Sequence, residues 1–431
     1  MTDADIIRLV KKEVIPAVGC TEPMAVALCT AYAAETLGQT PGEIDISLSA
    51  NILKNAMGVG IPGTGMIGLP IAVALGALYG KSSYGLEVLK DITPNLVEQG
   101  KKYISGNIIN ISLKSDITEK LYIEVCCKAG SDSSTAIIAQ DHTNLIYLDK
   151  TGPDGKCHVI KDTRNKQTES ELSEEPQEEL NLKRVYEFAT TAPLADIEFI
   201  NEARRLNEAA SDNALKGNYG HNLGKTLTRP LGRGVMGDSM FSHILAATSC
   251  ACDARMAGAM IPVMCNSGSG NQGIAATMPV VVFARENHNT EEELTRALML
   301  SHLTAVYIKQ SLGRLSALCG CVVAATGSSC GITYLMGGSY QQVAYSVKNM
   351  IANLAGIVCD GAKPSCSLKV SSGVSTAVLS AIMAIQNDVV TSVEGIIEDD
   401  VDKSIHNLTK VGSIGMNETD RLILDIMTHK D

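Results

Sequence analysis

The chain has 431 residues and a net charge of −11. That length can bury a large core and suggests two or three domains, while the acidic balance opposes a nucleic-acid partner, whose phosphates need a basic face. Tryptophan is absent and phenylalanine rare, and no Lys/Arg stripe interleaves with aromatics, so base-stacking platforms are excluded too.

The first eight residues lack a basic segment ahead of an apolar core, so no signal peptide is expected. Ile6, Ile7, Val10 and Val14 recur at helical spacing and predict a helix over 4–15. A second helix is expected over 22–37, entered through Thr21-Glu22-Pro23, because proline suits a first helical turn. Residues 43–50 alternate as a strand, with Ile44, Ile46 and Leu48 on one face. The segment 51–65 ends in Gly-Ile-Pro-Gly-Thr-Gly and reads as a loop built for backbone approach to a ligand. Strands of a meander are expected over 104–127, 133–140 and 144–149. The Glu/Ser-rich run 161–179 reads as an exposed connector.

From about residue 182 helical periodicity dominates. It is broken at Gly-containing segments: 232–237, 265–273, 327–331, 337–338, 361–364 and the serine run 371–375. The fold class is therefore α+β: a small N-terminal α+β domain, 1–181, followed by a large mostly helical domain, 182–431. The longest apolar runs, 274–284 and 315–326, are too short to span a bilayer. The chain is expected to be cytoplasmic, with no membrane partner. Its 13 cysteines then mean thiols or metal ligands rather than a disulfide framework.

Eight of those cysteines fall between Cys250 and Cys366. Cys359 and Cys366 flank Gly361 and Pro364, so the chain can turn back and aim both sulfurs at one point. Leu318-Cys-Gly-Cys321 adds two more. Thiolates gathered among turns bind soft metals. Zinc fits less well than iron–sulfur, since no C-x2-C and no nearby histidine completes a compact tetrahedral set. Cys250, Cys252 and Cys330 read as packing, because free cysteine is among the most buried side chains.

Cys20, in Gly19-Cys-Thr-Glu-Pro23, stands at a helix start. Free N–H groups and the macrodipole there favour a thiolate, which can act as base or nucleophile. Two polar Gly-rich segments suit carboxylate binding. One offers Asn51, Lys54 and Asn55; the other, Cys265-Asn-Ser-Gly-Ser-Gly-Asn-Gln-Gly273, offers Asn266, Ser267 and Ser269. Gly268, Gly270 and Gly273 formally match G-x-G-x-x-G, but no βαβ unit surrounds them, so a dinucleotide site is discounted. Lys54, Lys363 and Lys369 are the lysines a pyridoxal Schiff base would use, although a loop lysine is usually a solvated charge.

Taken together, Gly19–Pro23, the 265–273 segment, Leu318–Cys321 and Cys359–Cys366 resemble the L-cysteine desulfidase family over nearly the whole chain. That family is related to the iron–sulfur L-serine dehydratases, whose α-chain the C-terminal half resembles. The resemblance implies an oxygen-labile 4Fe-4S cluster on three cysteines, with one iron open to substrate. Cys359 and Cys366 match the closely spaced pair. The third ligand falls at Cys319 or Cys321, with Cys319 preferred on the family's spacing, and Cys20 matches the general base. The implied reaction is α,β-elimination of L-cysteine to pyruvate, ammonia and sulfide. The alternatives are L-serine dehydration, a pyridoxal phosphate lyase, and a non-catalytic iron–sulfur protein. The expected partner is a small amino-acid substrate; homo-oligomerisation is left open.

Overall fold

The computed structural model describes residues 1–430 apart from 115, 116, 118, 165–179 and 314–315; most of the expected connector therefore lies outside the described residues. The first helix, α1 (Asp3–Glu13), is closed by a Thr2/Asp5 capping box. After β1 (Pro16–Val18) comes α2 (Thr21–Leu37), an alanine-rich helix buried almost all round and stopped by Gly38 in the left-handed region. Strand β2 (Glu43–Leu48) buries Ile44, Ile46 and Leu48, as its alternation requires.

The segment expected as a loop from residue 51 departs from that reading. Residues Ala50–Ala56 form a short helix, α3, because Ile52, Leu53 and Ala56 bury there; the loop proper begins after it. Two further helices, α4 (Leu69–Tyr79) and α5 (Pro94–Ile104), precede the meander. Its strands are β3 (Ile109–Leu113), β4 (Tyr122–Ala129), β5 (Asp132–Ala139), β6 (Leu145–Thr151) and β7 (Cys157–Asp162). The sheet order is β3-β2-β4-β5-β6-β7, with only β2 and β3 parallel. This sheet with α2 and α4 encloses one hydrophobic core.

The helical part runs α6 (Leu182–Thr191), α7 (Leu194–Ile197), α8 (Asn201–Lys216), α9 (Leu223–Thr228), α10 (Pro230–Met236) and α11 (Met240–Met256). It continues through β8 (Pro262–Met264), α12 (Gly270–Glu286), α13 (Glu291–Leu312), α14 (Gly320–Leu335) and α15 (Tyr340–Leu354). Last come α16 (Cys366–Ile385), α17 (Val401–Lys410) and α18 (Asn417–Thr428). The fold is α+β with a large helical C-terminal part. Three expected breaks prove to be helix interior: 232–236 in α10, 327–331 in α14 and 371–375 in α16. The α14 glycines serve close packing instead. A Cβ on Gly327 would meet the Ser301 carbonyl of α13 at 2.2 Å.

Both chain ends cross to the opposite part. Ile6, Val10 and Val14 of α1 pack in the helical core, and β1 pairs antiparallel with β8. Leu424 of α18 packs in the sheet core, and Asp420 of the same helix forms an ion pair with the buried Lys54 of α3. Among the described residues one helix, α16, is long and apolar enough to cross a membrane by length and composition, and half of it is buried in the fold.

A buried polar strut fixes the turn between β8 and α12. Asn207 accepts from the Met264 N–H (2.9 Å) and donates to Thr277 (3.0 Å). Asn266 donates to the His302 carbonyl and to Nδ1 of its ring. Nδ1 is therefore the bare nitrogen, and Nε2–H donates to Thr277 Oγ1 at 2.9 Å. Burial holds the imidazole down at about 3, against an ordinary 6.5, so it is neutral in the fold. On acidification the unfolded chain takes up the proton first. The stability this group contributes is complete above about 6.5 and drains as pH falls towards 3, at roughly 1.4 kcal/mol per pH unit. Between about pH 6 and pH 4 the urea midpoint of the wild-type protein is expected to fall more steeply than that of His302→Gln; parallel slopes would remove His302 as the cause.

Candidate active site

The turn out of β1 delivers the N-terminal wall of a cavity of about 120 Å³ lined from both parts of the fold. Gly19 has φ +73°, and a Cβ there would meet Pro62 at 2.3 Å, so the turn out of β1 requires glycine. Cys20 follows as the N-cap of α2, yet its side chain caps nothing. Its thiol donates instead to Glu22 Oε2 at 3.1 Å, while Asn55 donates to Glu22 Oε1 at 3.3 Å. Burial works to raise the Glu22 carboxyl, but His142, the Cys20 thiol and Arg255 outweigh it and hold it below its ordinary range. Burial first, and the Glu22 charge second, push the Cys20 thiol well above its ordinary range. The expected ease of ionisation at a helix start is thus overridden, and the resting proton sits on sulfur.

The second wall is the start of α12. Asn266 and Ser269 exchange both backbone hydrogen bonds at 3.0 Å, with Ser267 and Gly268 at φ +48° and +79° between them, a tight two-residue turn. Ser267 and Ser269 line the cavity, and Thr21 reaches across to donate to the Gly268 carbonyl at 3.3 Å. The three glycines of the G-x-G-x-x-G match have separate jobs: Gly268 turns, Gly270 leaves room for the Arg255 side chain, and Gly273 packs against the Met264 carbonyl. Arg255, from the last turn of α11, and Gln272 complete this wall.

Thiols make the third wall. A bridge between Leu318 and Val358 lays two loops side by side. Cys319 N–H donates to Ile357 (2.9 Å) and Cys359 N–H to Ala317 (2.6 Å). Cys319 is the N-cap of α14, Cys321 lies in its first turn, and Cys366 opens α16. All four sulfur residues line the cavity. Hydrogen bonding from Cys321 brings Cys319 down to about 6, with help from Lys369 and Lys363. Burial pushes Cys366 up to about 11 and raises Cys359 as well. The Cys319–Cys321 pair, sharing a hydrogen bond beside Lys369 and Lys363, is where a thiol is most readily deprotonated.

Of the residues expected from sequence, Cys20, Asn55, Ser267, Ser269, Cys319, Cys359 and Cys366 meet around this one cavity. Asn51, Lys54 and Asn266 do not line it. Lys54 is paired with Asp420 and donates to the Cys359 carbonyl (3.4 Å), and Asn266 is taken up by His302. Lys363 and Lys369 pair with Asp360 behind the thiols. Sequence reasoning assigned no role to Glu22, His142, Arg255, Gln272 or Lys309, all of which line the cavity. Glu22 was within reach, two residues from Cys20 in a quoted motif. Gln272 was too, inside the 265–273 segment, whereas His142, Arg255 and Lys309 arrive from separate elements with no local signature.

The family model for the serine dehydratase alpha chain matches residues 83–425. A UPF0597 protein of Bacteroides thetaiotaomicron is 68% identical, with 99% of this chain and 97% of that one covered. UPF0597 proteins of Porphyromonas gingivalis, at 55% identity over 100% of this chain and 99% of theirs, and of Aeromonas hydrophila, at 46% over 99% and 96%, are also similar. The matched span holds the thiols, Arg255 and the α12 turn, and this chain belongs to the serine dehydratase alpha chain family.

Proposed function

We propose that the chain is a lyase that eliminates the β-substituent of a small L-amino acid, with L-cysteine as substrate. The observation that carries this reading is the meeting of Cys20, Glu22 and the thiols of Cys319, Cys321, Cys359 and Cys366 on one cavity.

The donor set suits an iron–sulfur cluster. Among the described residues no three His, Cys, Asp or Glu side chains converge as ligands of a single ion would, whereas a cluster takes one thiolate at each of several irons. Cys359, Cys366 and Cys319 would hold it; Cys321, hydrogen-bonded to Cys319, is the sulfur left over. Bound there, a 4Fe-4S cluster supplies an iron with an open position, a Lewis acid for the departing sulfur. Lys54, Lys363 and Lys369 stand behind the thiols and offset their negative charge.

The Cys20–Glu22 pair handles the Cα proton. Glu22 accepts the thiol hydrogen bond and so orients the sulfur, which acts as base on the Cα proton once it has lost its own. Loss of the Cα proton and of sulfide leaves aminoacrylate, which tautomerises to the imine. Hydrolysis then gives pyruvate and ammonia. Asn55 holds the Glu22 carboxylate in place. The family match favours one second reading, L-serine as substrate, since hydroxide and sulfide differ as leaving groups by one atom.

Anaerobically reconstituted protein is expected to be brown and to release sulfide and pyruvate from L-cysteine. Assaying L-serine alongside decides between the two substrates, and a colourless, inactive, folded sample with full iron supply would sink the reading. Cys359→Ser and Cys319→Ser should lose the chromophore, whereas Cys321→Ser should keep it. Cys20→Ala and Glu22→Gln should keep the chromophore and lose about 10²- to 10⁴-fold in turnover. A fully active Cys20→Ala protein would remove the pair from the mechanism.

A further inference from the structure

The cavity wall contains a cation with one edge unused. Arg255 is only 3% exposed, and its one hydrogen bond runs from Nη1 to Asn271 at 3.1 Å. Its Nε and Nη2 are buried with no hydrogen-bond partner among the described residues. These two nitrogens form one edge of the guanidinium, and their N–H bonds run parallel, spaced to grip both oxygens of a carboxylate. A buried charged donor without a hydrogen-bond partner is costly, so the unused edge of an arginine that lines a cavity points to a ligand that fills it.

Three further features surround that edge. A Cβ on Gly270 would lie 2.2 Å from Arg255 Nε, so glycine is what lets the guanidinium seat against the start of α12. Residue 270 also begins α12, whose free N–H groups and positive end favour the same negative charge. Gln272 lines the cavity with its Oε1 buried and unpartnered. A Cβ on Gly320 would crowd its carboxamide at 2.8 Å, so this side chain too is seated by a glycine. The wall therefore offers two parallel cationic donors and a separate acceptor, the complement of a carboxylate with an ammonium beside it.

We infer that Arg255 is the carboxylate anchor of this site, gripping both oxygens of a free α-amino acid while Gln272 accepts from its ammonium group. The inference rests on the cavity being the amino-acid site proposed above, and it deepens that reading by naming the recognition. Asn266 and Lys54, expected as carboxylate contacts from sequence, have other partners. The site excludes amides, esters and simple amines, which lack the second oxygen or its charge.

The probe is L-alanine, which has no leaving group and so reports binding without turnover. Calorimetry on the anaerobically reconstituted full chain is expected to show binding of L-alanine and none of L-alaninamide or ethylamine. Arg255→Gln should weaken L-alanine binding about 100-fold. Arg255→Lys keeps the charge but not the fork, and Gly270→Ala keeps the arginine but pushes its guanidinium out of its seat; each should weaken binding at least about tenfold. These two variants carry the test if Arg255→Gln does not fold. Equal binding of alanine and alaninamide, unchanged affinity in the variants, or no alanine binding by the wild-type protein would each overturn the assignment. Selective, Arg255-dependent alanine binding without turnover of cysteine or serine would uphold it and defeat the lyase reading instead.

Discussion

Everything at this site depends on where four helices begin. The N-termini of α2, α12, α14 and α16 supply Cys20, Ser269, Cys319 and Cys366 to the wall of one cavity. Each brings free N–H groups and the positive end of a macrodipole. A buried space ringed by such ends favours anions, which is what thiolates and a carboxylate are. The helices differ in what they bury elsewhere, but their starts are held together by backbone bonds and by glycines that let main chain touch main chain.

That shared field does not act equally on every group. At Cys319 it is joined by a hydrogen bond and two lysines, and the sulfur ionises easily. At Cys20 the same kind of helix start is outweighed by burial and by a carboxylate two residues on. Position on a helix is therefore a weak guide to ionisation once the neighbours are charged. Burial raises the thiols of Cys20, Cys359 and Cys366 alike, so the site holds most of its thiol protons until something binds there.

Periodicity in the sequence was enough to place α1, α2 and β2, and the Gly/Pro turn between Cys359 and Cys366 was readable as a place where sulfurs gather. The reading of α3 as a loop failed because Asn51, Lys54 and Asn55 look polar, whereas the burial of Ile52 and Leu53 decides the conformation. Gly327 and Gly331 looked like breaks because glycine is a poor helix former; here the approach of α13 demands them. Arg255 and His142 carried no local sign at all. Their importance arises from polar atoms left without partners, and that is a property of three-dimensional packing alone.

The ion pair between Lys54 and Asp420 ties the thiol loop to both extremes of the chain. Lys54 also donates to the carbonyl of Cys359, and a Cβ on Gly361 would strike the Lys54 carbonyl at 2.2 Å. The loop thus rests on a helix made before it, and that helix is secured by one made after it. A ribosome that has just released residue 366 has already exposed every sulfur but not the residue that locks their support. The thiol wall gains its final support only when Asp420, about fifty residues beyond Cys366, has followed the cysteines out.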